Sequence, residues 1–325
     1  SSTSRGLGDV YKRQVQEEAA KSRSTVTKEA LDKMTPTGNG VDKLKYTPGI
    51  NVSSDDSTGL SGFNFTMRGM KSDQIGMTMD GVPINDSGSY EVYPNLLGDP
   101  ENLQEVFVTQ GSSELDAPHI GSSGGNIGLV SMAPTKEAGV FFKQTIGSNN
   151  LTKTFVRANT GEYNGLSNYI SASKTNSDKW KGKGDLDAEK FELNSLFKFG
   201  EGNSINGIIK YHKQENYNYV SPSLAQYKSD HDYDFPNEPT YNPTTGKLTT
   251  ASWRTSINPF ETLTASVTSR WQLRDDLQLT VAPYYYWANG GSYRAFGSPA
   301  TLTRTTNSSG TVSYTHLTLP TICSV

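Results

Sequence analysis

The sequence predicts a small α+β domain followed by an all-β antiparallel wall, and three observations carry that reading. Composition shifts once, near residue 137. Before the shift, short helix-like and strand-like segments are separated by Gly-rich turns; after it, nearly every segment alternates polar and apolar residues with period two. The third observation is the spacing of connections beyond residue 137, which alternate between tight and long.

In the first part, Thr27 to Met34 reads as a short helix or turn and Val41 to Tyr46 as another, stopped by Pro48-Gly49 before Ile50-Asn51-Val52. Phe63 to Arg68 alternates as a strand does. So does Met77-Thr78-Met79-Asp80, where Gly81-Val82-Pro83 turns the chain, and Leu103 to Thr109 is a third strand candidate.

In the second part, Phe191, Leu193, Phe197 and Phe199 share one face while Glu192, Asn194 and Lys198 share the other. Ile205, Ile209 and Tyr211 stand opposite Asn206, Lys210 and His212, and Leu263, Ala265, Val267, Trp271 and Leu273 opposite Thr264, Ser266, Thr268, Arg270 and Gln272. Each strand therefore has one apolar face. Strands are expected at 138–147, 152–160, 166–176, 187–199, 204–214, 260–273 and 277–290. Tight turns at Gly161 to Gly165, Gly200 to Asn203 and Arg274 to Asp276 fall on one side, and the long connections 177–186 and 215–259 on the other. That parity suits an outer-membrane barrel, with short turns inside and long loops outside, better than a soluble sandwich. Trp180, Tyr211, Trp271 and Trp287 suit an interfacial aromatic girdle.

The formal net charge is −3 and no polybasic patch is present, which argues against nucleic acid as a partner. No run of 18 apolar residues exists, so a membrane-spanning helix is excluded for this stretch while a membrane barrel is not. Both ends read as translated adapter. Asp9 to Gln14 can be encoded by GAT GTG TAT AAG AGA CAG, whose reverse complement in a shifted frame reads Val-Ser-Tyr-Thr-His, the run Val312 to His316. Residues 1–14 and 312–325 are therefore set aside as adapter artefact. The one cysteine, Cys323, lies in the second of these segments.

Catalytic signals are weak. His119, His212 and His231 are scattered, and no Cys/His metal cluster, phosphate loop or nucleophile elbow occurs, so neither an enzyme nor a resident cofactor or metal is expected. Asp230-His231-Asp232-Tyr233-Asp234 reads as a solvated loop tip. Ligand contact is sought instead in the loop 215–259, where Tyr217, Tyr219, Tyr227, Tyr233 and Trp253 carry rings with polar edges suited to a flat or chelate ligand.

Several runs resemble one family. Leu44 to Val52 is similar to the LxxxPGV.V opening of the plug domain in TonB-dependent outer-membrane receptors, and Phe65-Thr66-Met67-Arg68-Gly69 to its F.IRG segment. Gln74 with Met79-Asp80-Gly81-Val82-Pro83 is similar to Q..V.+DGVP, and Glu105 to Ser113 to EV..GP.S, with Gln110 where the family has arginine. His119 to Ile127 resembles YG..A.GG.IN, with Tyr and Ala replaced. The resemblance implies an α+β plug domain at 15–137, followed at 138–311 by an all-β antiparallel transmembrane barrel, truncated to about seven strands of roughly 22. It also implies active import of a scarce nutrient, most often a ferric siderophore or other iron chelate, across the bacterial outer membrane. The partners implied are TonB, acting on a box expected just before or around Val15 and lost here at the adapter junction, a small-molecule ligand and outer-membrane lipid. A passive porin or a loop-displaying adhesin is the alternative, but neither needs such a plug.

A plug in a polar lumen must neutralise its charges against the wall, so Arg68, Asp80 and Glu105 are expected to be paired or water-bridged there. Gly69, Gly81, Gly124 and Gly125 are expected to allow turns with positive φ and close approach of plug backbone to wall.

Overall fold

Two kinds of sheet divide the chain at the composition break. The computed structural model describes residues 22–86, 88–111, 118, 122–246, 248–291 and the backbone of 321–324. Segment 1–14, the surroundings of Val15 and His119 to Gly121 lie outside the described residues, as does most of 312–325.

The first unit holds a five-stranded sheet in which β1 (Arg23–Thr27) pairs β7 (Leu103–Gln110), then β8 (Gly125–Ser131), β5 (Gly76–Met79) and β6 (Val82–Pro83). Only β5 with β8 is parallel. A second sheet joins β2 (Ile50–Ser54), β3 (Phe63–Met67) and β4 (Met70–Lys71). A helix at Lys28–Lys33 and a 3-10 turn at Asp42–Leu44 occupy the two expected helical stretches. Val41, Leu44, Met67, Met77, Val106 and Ile127 are fully buried between the layers. The sequence reading misses β8 because both its faces are covered. Gly-Asn-Ile-Gly-Leu-Val-Ser has no polar face to alternate with.

Asp80 and Gly81 link β5 to β6 with φ of 53° and 81°, and Arg68 and Gly69 link β3 to β4 with 49° and 82°. Two consecutive positive φ values define the tight hairpin turn whose twist matches the strands, hence Gly at the second place. Gly124 and Gly125 depart from expectation in a different way. Their close neighbours are Met70, Gln74 and Thr109 of the same unit, not the wall.

The wall is an antiparallel meander of β9 (Ala138–Ile146), β10 (Thr152–Tyr163), β11 (Leu166–Asp178), β12 (Asp185–Phe199), β13 (Asn203–Tyr217) and β16 (Ile257–Arg274). Within the loop before β16 lie a short helix, Leu224–Ser229, and the small hairpin of β14 (Thr240–Tyr241) and β15 (Leu248–Thr250). The expected last strand is split into β17 (Leu277–Val281) and β18 (Tyr284–Gly290), both paired to β16. The break falls at Ala282-Pro283, where proline has no N–H to give the ladder. The turn at 161–165 is also tighter than expected: Tyr163 pairs Leu166 across Asn164-Gly165, and Gly161 sits in a bulge of β10. Thr321–Ser324 adds along β17 as β19, as an extended segment can on any open strand edge.

Polarity across the wall is inverted relative to a soluble sheet. Phe191 and Ile209 are 38% and 42% exposed, whereas their neighbours Glu192 and Lys210 are 3% and 7% exposed, turned toward the first unit. Of the expected girdle, Trp271 meets Phe199 at 5.4 Å near the tight-turn end. Trp180 does not belong to it, because its indole Nε1 donates to the Asp55 carbonyl at 2.8 Å.

Candidate functional site

Buried ion pairs fasten the first unit to the wall. The 3-10 turn Pro100–Asn102 holds Glu101 against β10, where Lys153 Nζ lies 2.7 Å from Glu101 Oε2 and 3.0 Å from Asp99 Oδ1. Ser173 of β11 donates to Asp99 at 2.7 Å, and Arg157 to the Glu101 carbonyl at 3.0 Å and Asn102 Oδ1 at 3.1 Å. Burial by itself would raise the Asp99 carboxyl, but Lys153, Lys190 and the Ser173 hydrogen bond together outweigh this and hold it below its ordinary value. Lower down, the Asp80 turn meets β13: Lys210 Nζ lies 3.2 Å from Asp80 and 2.9 Å from Glu192, and donates to Ser131 Oγ at 2.5 Å. The Tyr169 hydroxyl donates to the same Glu192.

Of the three charges expected to pair with the wall, only Asp80 does so. Arg68 points elsewhere, donating to Gln110 at 2.8 Å and Ser22 at 3.3 Å within its own unit. Glu105 lies within the five-stranded sheet, paired in register with Thr27 of β1. Asp99, Glu101, Lys153 and Arg157 are missed by the sequence reading, although Lys210 and Glu192 stand on the polar face it identified. The period-two pattern names the lumenal face but not the loop acids that meet it.

At the long-loop end a clasp joins loop to apex. Lys179 lies 2.5 Å from Asp234, both fully buried, and Lys181 donates to the carbonyls of Val220 (2.9 Å) and Tyr233 (3.2 Å). Trp180 stacks on Tyr219 at 6.1 Å and bonds the apex loop at Asp55, while Asn216 donates to the Leu60 carbonyl. Burial pushes the Tyr219 phenol well above its ordinary value. A second apex, residues 85–93, lies beside it. Tyr90 there adopts φ +59° and is held by Asn85 and Asp86, and Tyr93 faces Phe260 at 6.4 Å. A tyrosine in the left-handed region is an uncommon, strained arrangement.

The five rings expected to contact ligand are not brought together. Tyr219 is buried in the clasp, Tyr233 contributes a carbonyl to it, and Tyr227 is exposed with its ring 4.7 Å from His231. Tyr217 and Trp253 meet edge to face at 5.1 Å, on the outward-facing parity shared with Ile209 and Tyr211. Asp234, from the run read as a solvated tip, is instead turned inward onto Lys179.

A family model described as TonB-dependent Receptor Plug Domain matches residues 15–125. The chain carries, over residues 15–125, the plug domain of the TonB-dependent receptors. Its first unit is the plug, and its wall matches the barrels of solved receptors. The chain superposes on the ferric citrate transporter FecA in the unliganded form with a TM-score of 0.65 at 17% identity, covering 85% of this chain and 41% of that one. It superposes on the siderophore receptor PiuA from Acinetobacter baumannii with a TM-score of 0.61 at 18% identity, covering 84% and 37%. A curated relative, Hemoglobin-haptoglobin utilization protein B of Neisseria meningitidis serogroup C, is 30% identical over 102 residues, 28% of this chain and 12% of that protein. The chain thus spans well under half the length of these relatives.

Proposed function

We propose that this chain serves the TonB-dependent uptake of an iron compound across the bacterial outer membrane, as part of a full-length receptor. The observation that carries the reading is the way plug meets wall. The interface is built mainly from separable ion pairs and hydrogen bonds, Lys153 with Asp99 and Glu101 and Lys210 with Asp80. Among the described residues the large apolar cluster stays within the first unit, with only the small cluster of Leu60, Leu186 and Ala188 reaching across. Such a plug can shift or open without tearing a continuous hydrophobic core, which is what energised passage requires. A passive pore needs no such device. The relatives point the same way, since their names concern ferric citrate, siderophores and haemoglobin-haptoglobin. Cargo would meet the plug first at the two apices, beside Tyr90, Tyr93 and the Trp180–Tyr219 pair. In this reading the partners are TonB, pulling from the periplasmic side, and the iron compound itself. The chain acts as an importer and catalyses no reaction.

The test is growth on iron. A full-length receptor carrying this chain is expressed in an outer-membrane host lacking its own ferric uptake receptors, with single iron chelates as the iron source. Growth on at least one chelate, lost when TonB is deleted, is expected. Growth that persists without TonB would replace import by passive leakage.

A further inference from the structure

We propose that the part of the cargo met by the plug is an organic cation, an ammonium or guanidinium carried on a ferric complex that is not itself polyanionic. This rests on the iron uptake above and narrows its substrate. Charge at the two apices is one-sided. The loops 55–62 and 85–93 contain Asp55, Asp56, Asp86 and Glu91 and no lysine, arginine or histidine. Asp56 is held by the hydroxyls of Thr58 and Ser61 at 2.6 Å each, and Glu91 by the Tyr93 hydroxyl at 3.3 Å. Neutral partners of this kind orient a carboxylate without cancelling its charge.

The lysines of the neighbouring 178–185 connection are engaged elsewhere. Lys179 is held by Asp234 and Lys181 by the carbonyls of Val220 and Tyr233, while Lys183 lines a recess with Tyr217 and Trp253. Partial burial and the adjacent Asp56 raise the Asp55 carboxyl above its ordinary value, against the opposing pull of Lys181. The clasp therefore does not neutralise the first apex.

Open rings stand beside these carboxylates. Tyr90 and Tyr93, on either side of Glu91, are 46% and 39% exposed, and Tyr93 is backed by Phe260 of β16. The face of a tyrosine ring attracts an ammonium or a guanidinium, and a carboxylate next to it completes a seat for an organic cation. A polyanionic chelate would meet like charge there instead. The floor between the apices adds an acceptor. Asn95 Nδ2 joins them by donating to the Leu60 carbonyl and to Gln214 Oε1, at 3.4 Å each. Asn216 donates to the same Leu60 carbonyl, is 3% exposed, and keeps its Oδ1 buried with no hydrogen-bond partner among the described residues. An unmatched acceptor under acidic loops suits an N–H donor arriving from above. Ferric trihydroxamates fit this chemistry, because their iron core is neutral and a pendant ammonium makes the whole complex cationic. Citrate and catecholate complexes are anionic. The likeness to the ferric citrate transporter is one of fold and leaves the charge of this cargo open.

The test uses cells displaying the full-length receptor that carries this chain, in a host lacking its own ferric uptake receptors. Binding and uptake of three radioactive iron complexes are compared: ferrioxamine B, a trihydroxamate with one free ammonium; the same molecule with that amine acetylated; and ferric enterobactin, a trianionic tricatecholate. Ferrioxamine B is expected to bind about tenfold tighter than its acetylated form, a gap near 1.4 kcal/mol that shrinks as salt is added. Glu91→Gln with Asp55→Asn should close the gap, and so should Tyr90→Ala, whereas Tyr90→Phe keeps the ring and should keep most of it. Binding of the acetylated complex reports in each variant whether the mouth is still folded. Equal binding of the two trihydroxamates by wild type, or a preference for the tricatecholate, would overturn the proposal and leave iron uptake standing. A gap that survives both the carboxylate and the Tyr90→Ala variants would overturn it as well. Failure of all three complexes to bind a displayed wild type would retire the iron reading and this one with it.

Discussion

The plug and the wall bury opposite chemistries, although both are made of short-range β-structure. Inside the plug, Met67, Met77, Val106 and Ile127 are fully buried in one apolar cluster. Inside the wall, Lys153, Arg157, Glu192, Lys210 and His212 are buried beside a few apolar groups such as Phe155 and Leu186, while Phe142, Phe191, Phe197, Ile170 and Ile209 face outward. The difference teaches that burial here is of two sorts. The plug core is held by apolar area, which is forgiving of exact partners. The plug–wall interface is held by charge, which is not: each ion is out of water and depends on a specific neighbour.

The sharpest way to break the comparison is to remove one ion from the interface. Lys153→Ala leaves the Asp99 carboxylate with only the Ser173 hydroxyl as a hydrogen-bond partner and Glu101 with only the more exposed Lys143. It should destabilise plug seating by about 3–5 kcal/mol, the usual penalty for breaking a buried pair. Lys153→Met combined with Asp99→Asn and Glu101→Gln should recover most of that loss. Urea titration of the full-length receptor in detergent, followed by protease access to the plug, measures both. A single substitution that costs no more than a surface mutation would mean that the interface is wet and the contrast with the plug core is false.

The outward face offers a somewhat smaller effect of the opposite kind. Ile209→Arg places a cation in the middle of the apolar belt and should cost about 2–4 kcal/mol of folding in bilayers, whereas Ile209→Leu should be near neutral. The measurement is folding yield into vesicles against urea. Equal yields for the arginine and leucine variants would show that this face does not meet lipid.

How much of this was legible in the sequence follows from which physics each part obeys. Wall strands were readable because alternation has a fixed period, and β9 to β13 begin and end within a few residues of expectation. The polar face, with Glu192, Lys210 and His212, was readable for the same reason. β8 was not, since a strand covered on both sides shows no alternation. Nor were Asp99 and Glu101, because the pairing of a loop carboxylate with a distant strand is a tertiary fact with no local pattern. The ligand rings failed on a third ground. Their loop is folded back and clasped by Lys179 and Asp234, so proximity in sequence to Tyr217 and Tyr219 did not mean a shared face. Tyr217 and Tyr219 lie two residues apart and serve different surfaces.

The smallest expected effect sharpens the comparison within the plug itself, between two glycines the motif places in one unit. Gly125 has φ +117°, and an added Cβ would fall 2.1 Å from the Thr109 carbonyl oxygen, a backbone atom that cannot swing aside. Gly81 has φ +81° with open space around it, so only its conformation resists substitution. Gly81→Ala should therefore cost about 1 kcal/mol, the price of holding an L-residue in the left-handed region. Gly81→Asn should cost less, because asparagine tolerates that region. Gly125→Ala must additionally push β7 from β8 and should exceed both. The same urea titration ranks the three, with Gly81→Asn mildest. Should Gly81→Ala prove as damaging as Gly125→Ala, the turn would be doing more than reversing the chain. The natural candidate is then its neighbour Asp80, whose carboxylate reaches Lys210 only while that turn keeps its shape.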